Sequence, residues 1–82
     1  MNITIKNGMP NIEQSKRLVQ IEVPDGVTIK STLEEYFRKY DLKIDISYMP
    51  GIAILLNNKP TTLTNIPGNG DTIELVKVSP GG

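Results

Sequence analysis

Three observations in the sequence predict an α+β domain: a mixed sheet crossed on one face by one main helix. Apolar residues alternate with polar ones near the start, recur at three- and four-residue spacing from Ile29 to Tyr40, and alternate again in the last strand-like segment. With 82 residues the chain has room for one domain and one modest core. A single helix laid on one face of a sheet is the arrangement that buries one helical stripe in so short a chain.

The elements follow in order. Ile3 and Ile5 alternate with Asn2, Thr4 and Lys6, a half-buried strand that Asn7-Gly8 and Pro10 bring to an end. Leu18 to Val23 reads as a second strand with Val19, Ile21 and Val23 on one face, stopped by Pro24-Asp25-Gly26. Their closeness in sequence makes an antiparallel hairpin the economical pairing. The period then changes: Ile29, Leu33, Tyr36, Phe37 and Tyr40 share one face of a helix. Thr28 or Ser31 can cap its start, and Ser31 with Glu34 has capping-box spacing. Glu34 with Arg38 and Glu35 with Lys39 are acid-before-base pairs four residues apart on the other face. Ile44 to Tyr48 alternates weakly, as a short strand would. Ile52 to Leu56 is apolar enough for a buried strand, Asn57 to Pro60 makes a turn, and Pro67 to Asp71 makes another. Thr72 to Val78 is the last strand, with Ile73 and Leu75 facing the helix and Glu74, Val76 and Val78 facing outward. The expected core is Ile3, Ile5, Val19, Ile21, Leu33, Phe37, Ile54, Ile73 and Leu75. This order is the β-grasp, or ubiquitin-like, layout, although order alone leaves other small α+β folds open.

Composition narrows the chemistry. The chain has no cysteine and no histidine, which removes thiolate metal sites, a cysteine nucleophile, the commonest general base and the commonest imidazole ligand. Lys plus Arg and Asp plus Glu both count 9, a balance that argues against a general nucleic-acid or polybasic membrane surface. The N-terminal residues carry no secretory pattern, and the longest apolar run, Ile52 to Leu56, is far too short to span a bilayer. A cytoplasmic protein that is not itself an enzyme is the expectation.

The C-terminal third is the most specific part. Asn57-Asn58-Lys59, then Ile66-Pro67-Gly68-Asn69-Gly70-Asp71, an apolar strand and a final Gly81-Gly82 resemble the ThiS/MoaD sulfur carriers, with eleven residues following Gly70-Asp71. The spacing is similar to that of the small subunit of molybdopterin synthase. The segment Gly8 to Gln14 departs from that subunit's usual pattern, and its paired prolines near the tail are reduced here to Pro80. The resemblance implies a β-grasp domain over residues 1–78 and a flexible tail over 79–82. It also implies that the Gly82 carboxylate is adenylated and then thiocarboxylated, with Ser79, Pro80 and Gly81 inserting into the partner. No cofactor is expected on the chain itself; ATP is used by a ubiquitin-activating-type adenylating enzyme. The second implied partner is the large subunit of a sulfur-using synthase, for molybdopterin first and for thiamine thiazole as the alternative. A ubiquitin-like modifier or plain interaction module is the reading from another class.

The residues suit that chemistry. A carboxylate does not accept sulfide unaided, because oxide is a poor leaving group, whereas an acyl adenylate can be attacked by a persulfide or thiol. Glycines without Cβ let a narrow tunnel admit the chain. Val76 matches the position at which the resembled subunit touches its partners, and Val78 shares its face. Other constellations read as ordinary structure. The loop from Pro67 to Asp71 lacks the residues of a phosphate or calcium loop. Asp41 and Asp45 read as solvated carboxylates at the helix end, and Tyr36, Phe37 and Tyr40 as core and rim of the helix.

Overall fold

The computed structural model describes residues 1–78. Five strands form one mixed sheet: β1 (Asn2–Asn7), β2 (Leu18–Glu22), β3 (Ile52–Leu56), β4 (Lys59–Pro60) and β5 (Thr72–Lys77), in the spatial order β2-β1-β5-β3-β4. One helix, α1 (Ile29–Lys39), follows the β1–β2 hairpin. The expected β-grasp layout is therefore the observed one. The hairpin is antiparallel with Ile3 opposite Ile21, as its short connection requires. The last strand inserts between β1 and β3, parallel to the first and antiparallel to the second.

The helix buries the stripe that its period specifies. Ile29, Leu33, Tyr36 and Phe37 are buried, and Thr32 between them is buried as well. They meet Ile3, Ile5, Ile21, Val23, Ile73 and Leu75 from the sheet, each worth about 1.5–3 kcal/mol when fully removed from water. Val19 and Ile54, both expected in the core, are half-buried against it. Thr28 is the helix cap: its Oγ1 accepts the Ser31 N–H at 3.1 Å. Ser31 thus lies inside the helix, and the alternative capping box is not used. The earlier N–H groups of Ile29 and Lys30 donate to the carbonyls of Asn65 and Leu63, so the loop before β5 closes over the helix start. At the other end Asp41 takes a positive φ of 54°, and Leu42 and Asp41 donate back to Phe37 and Arg38 in a Schellman motif.

Three sequence expectations are corrected. The surface ion pair of α1 joins Glu35 to Arg38, three residues apart, rather than either four-residue pair. Arg38 reaches both Glu35 oxygens, a fork that a single guanidinium satisfies with one carboxylate. Ile44 to Tyr48 is not a strand. Asp45 accepts the Ser47 N–H and hydroxyl, a local turn that competes with ladder bonding, while Ile46 still reaches the core. The connection after β3 is also shorter than expected. Asn57 and Asn58 take φ of 51° and 69°, a two-residue turn, so Lys59 and Pro60 pair back onto Leu56 and Leu55 as β4.

A polar network holds the loop after β1. Tyr36 is fully buried, and its hydroxyl donates to the Lys16 carbonyl at 2.6 Å while accepting from Asn7 Nδ2 at 3.0 Å. Asn7 Oδ1 accepts the Met9 N–H, and Arg17 donates to the carbonyls of Asn7 and Met9. Burial pushes the Tyr36 hydroxyl above its ordinary pKa, with the Asn7 bond acting in the opposite direction. Tyr36→Phe leaves the Lys16 carbonyl and Asn7 amide without their partner, at an expected cost of about 1–3 kcal/mol. The sign of the pH effect follows from the raised folded-state pKa. The Tyr36 contribution is complete below ~10, the unfolded tyrosine value, and is lost as pH rises through the folded one. Urea unfolding from pH 7 to 11 should show this alkaline loss in the wild type and a smaller one in Tyr36→Phe.

Candidate functional site

The strand β5 has two faces with opposite fates. Ile73 and Leu75 are fully buried against α1, so Glu74 and Val76 point to the open side of the sheet. Register assembles their neighbours: Val76 lies opposite Ala53, Glu74 opposite Leu55, and Leu55 opposite Pro60. On the other side Lys6 is the β1 partner of Glu74, and Leu18 is the β2 partner of Lys6. Ala53, Leu55 and Val76 are half-buried, and Val78 is 52 % exposed just beyond the strand. The result is a small apolar strip on the open face, flanked by Lys6 and Glu74 and running toward the point where residues 79–82 begin.

Gly8 lets the chain after β1 approach β5 closely beside this strip. Its N–H donates to the Leu75 carbonyl at 2.7 Å, which brings the two backbones together beside Val76. A Cβ on Gly8 would stand 2.8 Å from that carbonyl oxygen and 3.9 Å from the Val76 Cα. The glycine is required by this approach rather than by a turn conformation.

The far end of β5 is fixed by side chains. Asn57 Nδ2 donates to Asp71 Oδ1 at 3.0 Å, and Asn57 Oδ1 accepts the Thr72 N–H at 2.9 Å. Asp71 Oδ2 accepts the Gly68 N–H, Asn69 Oδ1 accepts the Asn2 N–H, and Gly70 donates to the Asn2 carbonyl. The Asn57 amide and the Gly68 N–H together hold the Asp71 carboxyl below its ordinary pKa. This loop is a joint between β1, β3 and β5, in keeping with its reading as a plain turn.

Of the expected site residues, Val76 and Val78 fall together at the tail end of the strip. Ser79, Pro80, Gly81 and Gly82 lie outside the described residues. Ala53, Leu55 and Gly8 were missed. The run Ile52 to Leu56 reads as a buried strand, but all five of its residues are half-buried, with Ile52, Ile54 and Leu56 against the core. The two-residue Asn57-Asn58 turn is the signal that could have fixed the register and exposed Leu55. Asp41 and Asp45 are exposed and engaged locally, with Lys43 and Ser47 respectively, and both carboxyls are held below their ordinary pKa by those bonds. Among the described residues there is no pocket and no group of three potential metal ligands, and no helix is long and apolar enough to cross a membrane.

No protein-family model matches the chain, and no curated protein matches it in sequence. Solved structures do match in fold. SAMP1 from Haloferax volcanii superposes with a TM-score of 0.78 at 19% identity, covering 100% of both chains. Urm1 from Trypanosoma brucei gives 0.71 at 22% identity, with 99% of this chain and 95% of that one covered. A chain from the complex of subunits 1 and 2 of molybdopterin-converting factor from Helicobacter pylori gives 0.67 at 23% identity, covering 100% of both. The full coverage shows that the chain has the ubiquitin-like fold across its described length, the fold class that the order of elements implied.

The contact at Gly8 has a direct consequence. Gly8→Ala should destabilise the domain by about 1–3 kcal/mol, because backbone rather than a flexible side chain must move to admit the methyl group. Chemical denaturation checks the size, and the loss should be accompanied by faster amide exchange at Gly8 and its neighbours on β5.

Proposed function

We propose that this chain is a ubiquitin-like sulfur carrier, activated at the Gly82 carboxyl group and delivering sulfur for molybdopterin synthesis. One observation carries the reading. The strand that leads to Gly81-Gly82 is held at the centre of the sheet, with an apolar strip on its open face and four residues between Val78 and the last carboxyl group. A partner that docks on Ala53, Leu55 and Val76 receives the tail from a fixed origin. In the proposed cycle the Gly82 carboxylate attacks the α-phosphorus of ATP on an adenylating enzyme and pyrophosphate leaves. A sulfur nucleophile then attacks the acyl adenylate and AMP leaves. Release of the thiocarboxylate from a persulfide donor requires a thiol reductant. The chain acts as the carrier, and ATP is bound by the partner.

The complex of subunits 1 and 2 of molybdopterin-converting factor supports a synthase large subunit as the second partner. Thiamine thiazole synthesis is the alternative destination for the same sulfur. The match to SAMP1, a small archaeal modifier protein, supports a second reading. In it the activated carboxyl group is transferred to a lysine amine. Both readings use the same adenylate and differ in the nucleophile that takes it.

Intact mass after incubation with ATP, a cognate adenylating enzyme and a sulfur donor separates them. Replacement of one oxygen by sulfur supports the carrier, an isopeptide link from Gly82 to a lysine supports the modifier, and an unchanged Gly82 carboxylate under active conditions sinks both. Deleting Gly82 should abolish adenylate formation and leave the unfolding midpoint nearly unchanged, since the buried core lies wholly within residues 3–75. Activation of the deletion variant at the wild-type rate would show that Gly82 is not the working group. Val76→Asp should weaken docking on both partners at little cost in stability, because it places a carboxylate in an apolar contact. Titration calorimetry against each partner and thermal unfolding of the variant test the two halves of that statement.

A further inference from the structure

Among the described residues, the last backbone hydrogen bond that follows β5 is made just beyond the strand. Val78 N–H donates to the Gly51 carbonyl at 2.7 Å, one step past the Ile52–Lys77 pair. Gly51 is the third residue of the turn Met49-Pro50-Gly51-Ile52, closed by Ile52 N–H to Met49 O at 3.2 Å. Proline in the second position and a φ of +74° in the third are the residue pattern of a type II turn. The turn is tied down from behind. Met49 packs against the core, Ile46 is buried, and the Tyr48 N–H donates to the Asp45 carbonyl at 3.0 Å. The Gly51 carbonyl therefore has a set place and direction. After Val78 the chain offers one further N–H, at Ser79, before Pro80, which has none.

We infer that Gly51 is a positioning residue for activation: its carbonyl holds Val78 and so fixes the point from which the chain continues toward Gly82. Its consequence for activation rests on the carrier reading. Four extended residues span at most about 13–14 Å. A displaced Val78 therefore shifts the region that the Gly82 carboxyl group can reach while the docking strip on Ala53, Leu55 and Val76 stays in place. The role belongs to the backbone conformation rather than to space. Among the described residues a Cβ on Gly51 would meet the Val78 carbonyl oxygen alone, at an ordinary 3.9 Å, whereas a positive φ strains most residues with a side chain. Asparagine tolerates that region, and this chain already seats Asn11, Asn57 and Asn58 there.

The test compares Gly51→Val with Gly51→Asn in the full chain. By amide hydrogen exchange, Val78 should be protected in the wild type and in Gly51→Asn. It should exchange at least tenfold faster in Gly51→Val, while Ile5 and Leu75 keep their protection. With an ATP-dependent adenylating enzyme that activates the wild type, Gly51→Val should lower kcat by roughly 10–100-fold at unchanged KM, the signature of a misplaced reacting group, and Gly51→Asn should restore it. Should Gly51→Val fail to fold, Gly51→Ala carries the same comparison. A wild-type Val78 amide that exchanges as fast as a free peptide overturns the inference, as does a variant that loses Val78 protection yet keeps kcat. A wild-type chain that no adenylating enzyme activates overturns the carrier reading instead, and the exchange measurement still decides whether Gly51 holds Val78.

Discussion

The architecture depends on the insertion of β5 between β1 and β3. A strand in that position has backbone partners on both sides, with Ile5 opposite Ile73 on one and Ile54 opposite Leu75 on the other. It also places Ile73 and Leu75 under the helix, where both are fully buried. Without it the β1–β2 hairpin and the β3–β4 hairpin would be separate ribbons, each too small to hold a helix by itself. The remaining devices of the structure serve this one placement. Gly8 lets the β1 backbone approach the Leu75 carbonyl, Asn57 and Asp71 fix the start of the strand, and Gly51 holds its end.

Such a strand serves the core with one face and leaves the other available for the docking proposed above. Its buried face is part of the core, and its open face is the middle of an apolar strip formed with Ala53 and Leu55. Val78, where the described chain ends, is held by the Gly51 carbonyl beside that strip. In the proposed carrier the ordering cost of a tail that docks, ~1–2 kcal/mol for each residue, falls on the four residues after Val78, and contacts made by the folded body can offset it.

Asparagine has an unusual share in this economy of loops. Asn57 adopts a positive φ and also bridges Asp71 and Thr72 with its side chain. Asn69 ties the same loop to Asn2, and Asn7 connects the end of β1 to the helix through Tyr36. A short amide that tolerates left-handed backbone and both donates and accepts can close a turn and brace it with one residue. In a chain without cysteine, these bonds are among those that link distant loops to one another.

The sequence by itself determined the kinds and order of the main elements. The alternation around Ile3 and Ile5, the stripe from Ile29 to Tyr40 and the inward pair Ile73 and Leu75 are periodic signals that depend only on which face is dry. It also determined the face of Val76, since period two ties it to its buried neighbours. Tertiary structure decided what local pattern cannot carry. The Ile44–Tyr48 segment alternates, yet Asp45 closes a turn there by taking the Ser47 N–H and hydroxyl. Leu55 and Ala53 read as buried until the Asn57-Asn58 turn and the β5 pairing place them on the open face. Gly8 and Gly51 look like ordinary turn glycines. Their roles lie in contacts with Leu75 and Val78, far along the chain, and a bond between distant backbone atoms leaves no period in the sequence to be read.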